Sequence, residues 1–501
     1  RTTQFYQSQG AEVFRGALNG LIQMSTNKAA PQKQRMVQDS KGSVYELTSE
    51  LSSGGQGVVY RTQYPQALIK GFTNKDEQAR RRWREHIEWL TRQDLADLKL
   101  ARPLELLAEP RCGYVMELMD GLVPLQGLLD SFANAEEEAH EDYLRQGGLR
   151  RRIRILGQMA RTLNQLHGRG MLYGDLSPNN IFVSDDPAFA ETWLIDCDNI
   201  SLDSHSGLTL HTVDYGAPEV VRGEALLSSL TDCWSFAVIA YQLLTHNHPF
   251  KGEMVSCGEP EIEDAALRGE HPWINDSEDD SNACFVNLPL QLLEHSKLPQ
   301  LFSRCFEGGR ASPYERPAMA EWLEALVEVD ERIYCCPGCG STSLLPADLR
   351  AADKAECYFC PEPADSRLVM FEEFIALPAE QDGDAEAPPD LVATGRKVWL
   401  QPGGQVELKR LLPTFSYDRW PADHIRIEYS DKGLGIFPLP ESQLQLQRGE
   451  NIKPLQRYQG LKESLRGQDE EPFLIHVGEP AKSGHKDSGL PSSKVVWQFR
   501  W

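Results

Sequence analysis

Residues 171–200 read MLYGDLSPNNIFVSDDPAFAETWLIDCDNI, and three of them, Asp175, Asn180 and Asp196, offer side-chain oxygens of the kind that hard divalent cations take as ligands. A carboxylate in such a loop can also accept a hydrogen bond from an attacking hydroxyl and orient it. A second set is chemically distinct. Cys336, Cys339, Cys357 and Cys360 form C-x2-C-x17-C-x2-C, a spacing that lets two tight knuckles present four thiolates to one zinc ion. Four protein ligands leave no open position, so that zinc is expected to be structural, with Cys335 a bystander. A third set is the glycine-rich LSSGGQGVVY at 51–60, where Gly54, Gly55 and Gly57 lack the Cβ atoms that would keep backbone N–H groups away from a phosphate. Lys70 ends the strand-like QALIK further on, where an ammonium could pair with the same phosphates.

The elements that must position these groups follow from pattern and composition. A chain of 501 residues, 41% hydrophobic and 25% charged, has the length and composition of several soluble globular domains. The longest nearly apolar run, Trp234–Leu244, is too short to span a bilayer, and nothing at the start argues for a cleaved leader. With 51 basic against 74 acidic side chains the net charge is −23, which repels a nucleic-acid backbone. The clusters Arg80–Arg84 and Arg150–Arg154 read as solvated helix faces. Eleven cysteines, four of them in paired spacing, suit a reducing cytoplasm with one metal site better than a disulfide framework.

Five segments are expected: an N-terminal extension at 1–40, a large unit of alternating strands and helices at 41–333, a zinc ribbon at 334–368, an acidic Pro-rich linker at 369–390, and a β-rich domain at 391–501. Alternation at Ile425, Ile427 and Tyr429, and at Phe473, Ile475 and Val477, predicts antiparallel strands in the last. Trp399, Trp420, Trp497 and Trp501 read as its core or as a contact surface.

The ordered set Gly57, Lys70, Asp175, Asn180 and Asp196 resembles the eukaryotic-like Ser/Thr protein kinases over about residues 44–330. The resemblance implies an α+β, two-lobed fold (lobes at about 41–118 and 119–333), followed here by the ribbon and the β-rich domain. It implies that Lys70 pairs with the α and β phosphates of ATP and with a helix carboxylate, for which Glu85 is chosen over Glu88 because Trp89 follows it by one turn. Gly54, Gly55, Gly57, Val59, Met116, Glu117 and Met119 would line the nucleotide, Met116 as gatekeeper in GYVMELM. Asp175 would orient the substrate hydroxyl, and Asn180 and Asp196 would hold Mg2+ or Mn2+. Ala217-Pro218-Glu219, Asp232 and Arg316 match the helical lobe that binds peptide, with Arg316 pairing Glu219, and so favour protein over small-molecule substrates. The overall pattern is similar to bacterial kinases associated with a phosphatase and a von Willebrand-type protein in tellurite-resistance-like systems.

Departures from the family pattern carry their own expectations. Tyr173-Gly174 stands for His-Arg, removing the arginine that receives an activation-loop phosphate, so control through Ser201, Ser204, Ser206, Thr209 or Thr212 is not expected. Asp198 replaces the glycine of Asp-Phe-Gly, and Ser177 replaces a lysine near the γ phosphate. Leu68 stands where a small alanine usually covers the adenine. Tyr173, Gly174, Ser177 and Asp198 keep a pseudokinase scaffold in view. A forkhead-associated phosphopeptide module is conceivable for the β-rich tail, although its Ser-Arg and His signature is not visible.

Overall fold

The computed structural model describes residues 35–53, 57–117, 121–133, 139–203, 211–286, 288, 290–346, 356–363, 365, 367–377, 390–409, 424–438, 444–468, 471–477 and 494–501. Gly54, Gly55, Met119, Ser204, Ser206, Thr209, Trp420 and the acidic stretch 378–389 lie outside them, as does most of the expected N-terminal extension. The described chain falls into two compact units, one from residues 35–91 and 103–117 and the other from 92–102 and 121–501.

In the first unit six antiparallel strands form one sheet: β1 (Arg35–Gln38), β2 (Val44–Ser53), β3 (Gly57–Thr62), β4 (Ala67–Phe72), β5 (Pro103–Leu106) and β6 (Gly113–Glu117), in the order β1-β2-β3-β4-β6-β5. The sheet therefore begins at residue 35, inside the segment expected to be an extension. Helix α1 (Glu77–Thr91) starts where the Asp76 carboxylate accepts the Ala79 N–H at 2.6 Å, a cap that stabilises it by about 1 kcal/mol. Period-two alternation sorts the side chains: Val59, Leu68, Tyr114 and Met116 pack with Trp83 and Ile87 of α1, while Val37, Ile69, Leu107 and Val115 fill the other face.

The second unit is mainly helical up to residue 332. Its elements are β7 (Leu122–Pro124), α2 (Leu125–Ala133), α3 (Ala139–Arg145), α4 (Gly148–Gly168), β8 (Met171–Leu172), β9 (Ile181–Ser184), β10 (Thr192–Leu194), β11 (Ser201–Leu202), α5 (Pro218–Val221), α6 (Ser229–Thr245), α7 (Glu253–Cys257), α8 (Pro260–Leu267), α9 (Leu298–Phe306), α10 (Gly308–Ala311) and α11 (Met319–Arg332). The apolar run noted in the sequence lies in α6, capped by Ser228 and buried along nearly its whole length. Around it Trp234, Tyr241, Phe250, Trp273, Phe302, Phe306 and Trp322 make a chain of edge-on, tilted and stacked rings, a core a single truncation would open by about 3–5 kcal/mol.

The Arg150–Arg154 cluster is only in part the solvated face that charge alone predicts, with Arg154 exposed. Arg151 and Arg152 are buried, Arg151 donating to the carbonyls of Phe189, Gln146 and Ser184 and Arg152 to the Gly148 carbonyl and the Gln146 side chain. Buried guanidinium groups whose donors meet carbonyls in this way work as structural pins.

The cysteine segment is docked rather than free-standing. Its hairpin, β12 (Ile333–Cys335) with β13 (Thr342–Leu344), continues directly from α11. Thr342 Oγ1 caps the start of α4 by accepting the Leu149 N–H at 3.0 Å, and Arg150 donates to the Ile333 carbonyl at 2.7 Å. Arg332 reaches the Leu345 carbonyl at 3.3 Å and the His295 carbonyl at 2.6 Å.

The tail is a β-sandwich. Strands β14 (Val369–Leu377), β15 (Asp390–Leu400), β16 (Gln405–Lys409), β17 (His424–Ser430), β18 (Gly433–Pro438), β19 (Leu444–Arg448), β20 (Asn451–Pro454), β21 (Gln459–Lys462), β22 (Phe473–Val477) and β23 (Lys494–Phe499) form a six-stranded sheet, β15-β14-β23-β22-β19-β20, and a four-stranded one, β16-β17-β18-β21. Residues 369–377, expected to be linker, supply β14, so the domain begins well before residue 391. Trp497 and Trp501 lie in its core and Trp399 packs beneath the cysteine segment. Arg396 of β15 ties the sandwich to α11, its Nε 2.9 Å from Glu331, with Glu373 at 2.8 Å and the Trp497 ring under it. Among the described residues no helix is long and apolar enough to cross a membrane.

Candidate active site and metal centre

In the second unit the loop after β8 is held from below by one carboxylate. Asp232, in the first turn of α6 and 2% exposed, accepts the N–H of Tyr173 at 2.7 Å and of Gly174 at 2.9 Å, with His167 Nε2 at 3.0 Å. A buried carboxylate needs such donors, and the helix N-terminus adds favourable dipole. Gly174 has φ +94, and a Cβ there would lie 3.2 Å from the Asn199 carbonyl oxygen, so the glycine at this position is a backbone requirement. Tyr173, fully buried, sends its hydroxyl to the Ile195 carbonyl, and burial pushes its phenol well above the usual range. The loops of Asp175 and Asp196 are thus joined through a side chain that only a long hydroxyl-bearing residue provides.

The resulting geometry orients Asp175 on both sides. Thr212 Oγ1 donates to Oδ1 at 2.7 Å, and Asn180 Nδ2 donates to Oδ2 at 3.2 Å and to the Asp175 carbonyl at 2.9 Å. With its amide nitrogen so engaged, Asn180 has its Oδ1 left as acceptor, the atom a divalent cation would take. The Ile195 N–H donates to the Asn180 carbonyl at 2.9 Å, fixing the residue before Asp196 against the same turn. Asp196 itself has φ +57, a sparsely populated conformation for a residue with a Cβ. Oxygen donors from Asn180 and Asp196 therefore suit a hard cation in chemistry, and the hydrogen bonds link their loops.

The first unit gathers its own predicted residues on one face. Val59 lies opposite Lys70 across β3 and β4, and Leu68 lies opposite Met116 across β4 and β6. Lys70 is 5% exposed, with its Cε 3.5 Å from the point a Gly57 Cβ would occupy. That same Cβ would strike the Gly71 carbonyl oxygen at 2.6 Å, so the sheet itself demands glycine at 57. Glu117 ends β6, exposed. Glu85 does not meet Lys70: its carboxylate pairs with Arg81 at 2.9 Å and its side chain is 61% exposed. Trp83, Ile87 and Leu90 face the sheet, and Glu85 lies on the opposite side of the helix, roughly 200° around from Trp83.

The lobe marks match expectation. Arg316 makes a buried two-pronged pair with Glu219, at 2.8 and 2.6 Å, and lies over the Trp234 ring. Thr212 is a site residue that sequence reasoning missed. Its one sequence cue is a place shortly before Ala217-Pro218-Glu219, which marks it only as a phosphorylation candidate.

The four cysteine sulfurs lie within 4.8 Å of one another, Cys336 to Cys360 at 3.6 Å and Cys339 to Cys357 at 3.7 Å. A disulfide needs about 2.05 Å, whereas thiolates around zinc at about 2.3 Å sit about 3.8 Å apart. Knuckle hydrogen bonds, Gly340 N–H to the Cys336 carbonyl and Phe359 N–H to Cys357 Sγ, hold the ligand loops in that form. The donor set and spacing fit a tetrahedral zinc.

The family model of the protein kinase domain matches residues 45–325, more than half of the chain, and the chain belongs to that family. Among curated relatives, mouse ribosomal protein S6 kinase alpha-2 is 33% identical over 99 residues, 20% of this chain and 13% of that protein. Serine/threonine-protein kinase pkn2 of Myxococcus xanthus is 31% identical over 112 residues, 21% of this chain and 13% of its own. Human ribosomal protein S6 kinase alpha-6 is 28% identical over 220 residues, 42% of this chain and 27% of that protein. The chain thus spans a small part of the length of these relatives.

Proposed function

We propose that the protein is a Ser/Thr protein kinase that transfers the γ phosphate of ATP to a protein hydroxyl. The observation that carries this is the two-sided hold on Asp175 by Thr212 and Asn180, in a loop anchored to buried Asp232. Asp175 accepts the substrate hydroxyl's hydrogen bond and aims its oxygen at the phosphorus; positioning of this kind is most of what phosphoryl transfer asks of a protein. Lys70 takes the α and β phosphates, and Gly57 and Val59 border them. Asn180 and Asp196 would hold Mg2+ or Mn2+, which supplies charge neutralisation on the phosphate oxygens. Glu85, on the far side of α1, has no part in this arrangement.

Thr and Ser acceptors are favoured over Tyr by the DLSPNN loop and by the similarity to a serine/threonine-protein kinase of Myxococcus xanthus. The four-cysteine centre is read as structural zinc, and the sandwich as a partner-binding module, with a cognate phosphatase and a von Willebrand-type protein as the partners the family resemblance suggests. Placement in a bacterial cytoplasm belongs to the same reading.

A second reading, a pseudokinase scaffold, is favoured by Tyr173, Gly174, Ser177 and Asp198, which stand where the family pattern has other residues. Transfer of radiolabelled γ phosphate to protein by the native chain, beside Asp175→Asn, separates the two. Label on metabolites and none on protein would point instead to a small-molecule kinase.

A further inference from the structure

Asp214 lies two residues after Thr212 and has φ +78, a conformation that costs a side-chain-bearing residue about 1–3 kcal/mol and persists where its surroundings hold it. Three groups do so. Lys251 Nζ is 2.7 Å from the Asp214 carboxylate and 2.8 Å from Glu263 of α8, and His248 Nε2 is 3.0 Å from the Asp214 carbonyl. The Phe250 N–H donates to His248 Nδ1 at 3.2 Å, so the ring proton sits on Nε2 and points at that carbonyl. Burial pushes the imidazolium down, to about 4, which leaves the ring in this neutral form near pH 7. Burial also works against the Lys251 ammonium, but its two carboxylates outweigh that and the net shift is upward. The Lys251 ammonium and the neutral His248 ring are therefore both in place at physiological pH without any modification.

At Gly174 the chain lacks the arginine that, in the kinases it resembles, receives an activation-loop phosphate. We propose that Lys251, with Asp214, Glu263 and His248, is a permanent latch on the activation segment that holds Thr212 against Asp175 and takes the place of that phosphate. The proposal rests on the kinase reading and makes Lys251 a positioning residue, acting through Thr212 rather than on substrate. Its charge replaces an induced contact with a built-in one.

The test measures transfer from γ-labelled ATP to a mixed Ser/Thr peptide pool, using full-length protein treated with a phosphatase until mass spectrometry finds no phosphate on it. Dephosphorylated native protein is expected to keep its turnover. Lys251→Met should lower kcat about ten- to a hundredfold with KM for ATP nearly unchanged. Combining it with Thr212→Ala should cost no more than Thr212→Ala alone, because both break one link. Asp214→Asn, which tolerates the same backbone conformation, should act in the same direction and keeps the test alive if the Lys251 variant folds poorly. Loss of turnover on dephosphorylation, native turnover in Asp214→Asn, or full additivity of the double variant would each overturn the latch. Native protein that transfers no phosphate even before treatment would overturn the kinase reading instead.

Discussion

Thr212 gives its hydroxyl hydrogen to Asp175, Oγ1 to Oδ1 at 2.7 Å, although 37 residues separate them in the chain. The bond ties the segment before Ala217-Pro218-Glu219 to the carboxylate proposed to orient the substrate hydroxyl. Thr212→Ala should lower kcat by about tenfold or more, while Thr212→Ser keeps the hydroxyl and most of the rate. Thr212→Asp should not mimic activation, since it sets a carboxylate against Asp175; steady-state kinetics on the three variants check this.

The Glu219–Arg316 pair is buried at both ends, so removing one partner leaves a charge without its counter-ion. Arg316→Met should destabilise the second unit by about 3–5 kcal/mol, read as a lower midpoint in denaturant. Arg316→Lys should recover only part of that loss, because an ammonium cannot reproduce the two-pronged contact or the Trp234 stacking. A midpoint for Arg316→Met equal to native would contradict the assignment.

Zinc should stabilise far more than its own knuckles. Thr342 caps α4, and Arg150 and Arg332 donate to carbonyls of the cysteine segment, so its unfolding releases contacts of α4 and α11. One zinc per chain is expected by elemental analysis. Removal by a strong chelator should lower the calorimetric midpoint of the whole second unit, and an unchanged midpoint after complete removal would show that the site is not a staple.

Acid sensitivity follows from buried His248 and half-buried His246. His248 is pushed down by burial to about 4 and His246 by burial to about 3, against 6.5 for an exposed ring. Between pH 6.5 and those values the unfolded chain binds protons that the folded chain refuses, so stability is full above 6.5 and falls with acidification. Each ring contributes a slope of about 1.4 kcal/mol per pH unit in that window. Denaturation midpoints measured from about pH 7 to about pH 4 should therefore decline less steeply in His248→Gln than in the native protein.

What the sequence made legible was local. Asp175, Asn180 and Asp196 sit in one short stretch and the four cysteines in paired spacing, so both candidate sets are visible in the sequence alone. Thr212, Lys251, Arg150 and Arg151 meet partners distant in the chain, and their spacing along the sequence does not show whom they meet. Glu85 shows a different failure. Choosing it assumes that Trp89 packs on the sheet, whereas the face that packs there carries buried Ile87 and half-buried Trp83, which turns Glu85 outward to Arg81. The early start of the sandwich was hidden because Val369–Leu377 adjoins an acidic Pro-rich stretch whose composition dominates that region.

Asp175 is the group proposed to orient the attacking hydroxyl, and its removal is the most direct probe of phosphoryl transfer. Transfer of γ-labelled phosphate to a mixed Ser/Thr peptide pool should be measurable with the native chain and fall by about a hundredfold or more in Asp175→Asn, with the thermal midpoint and nucleotide binding retained. Equal transfer by the two proteins, or none by the native chain with nucleotide bound, would contradict it.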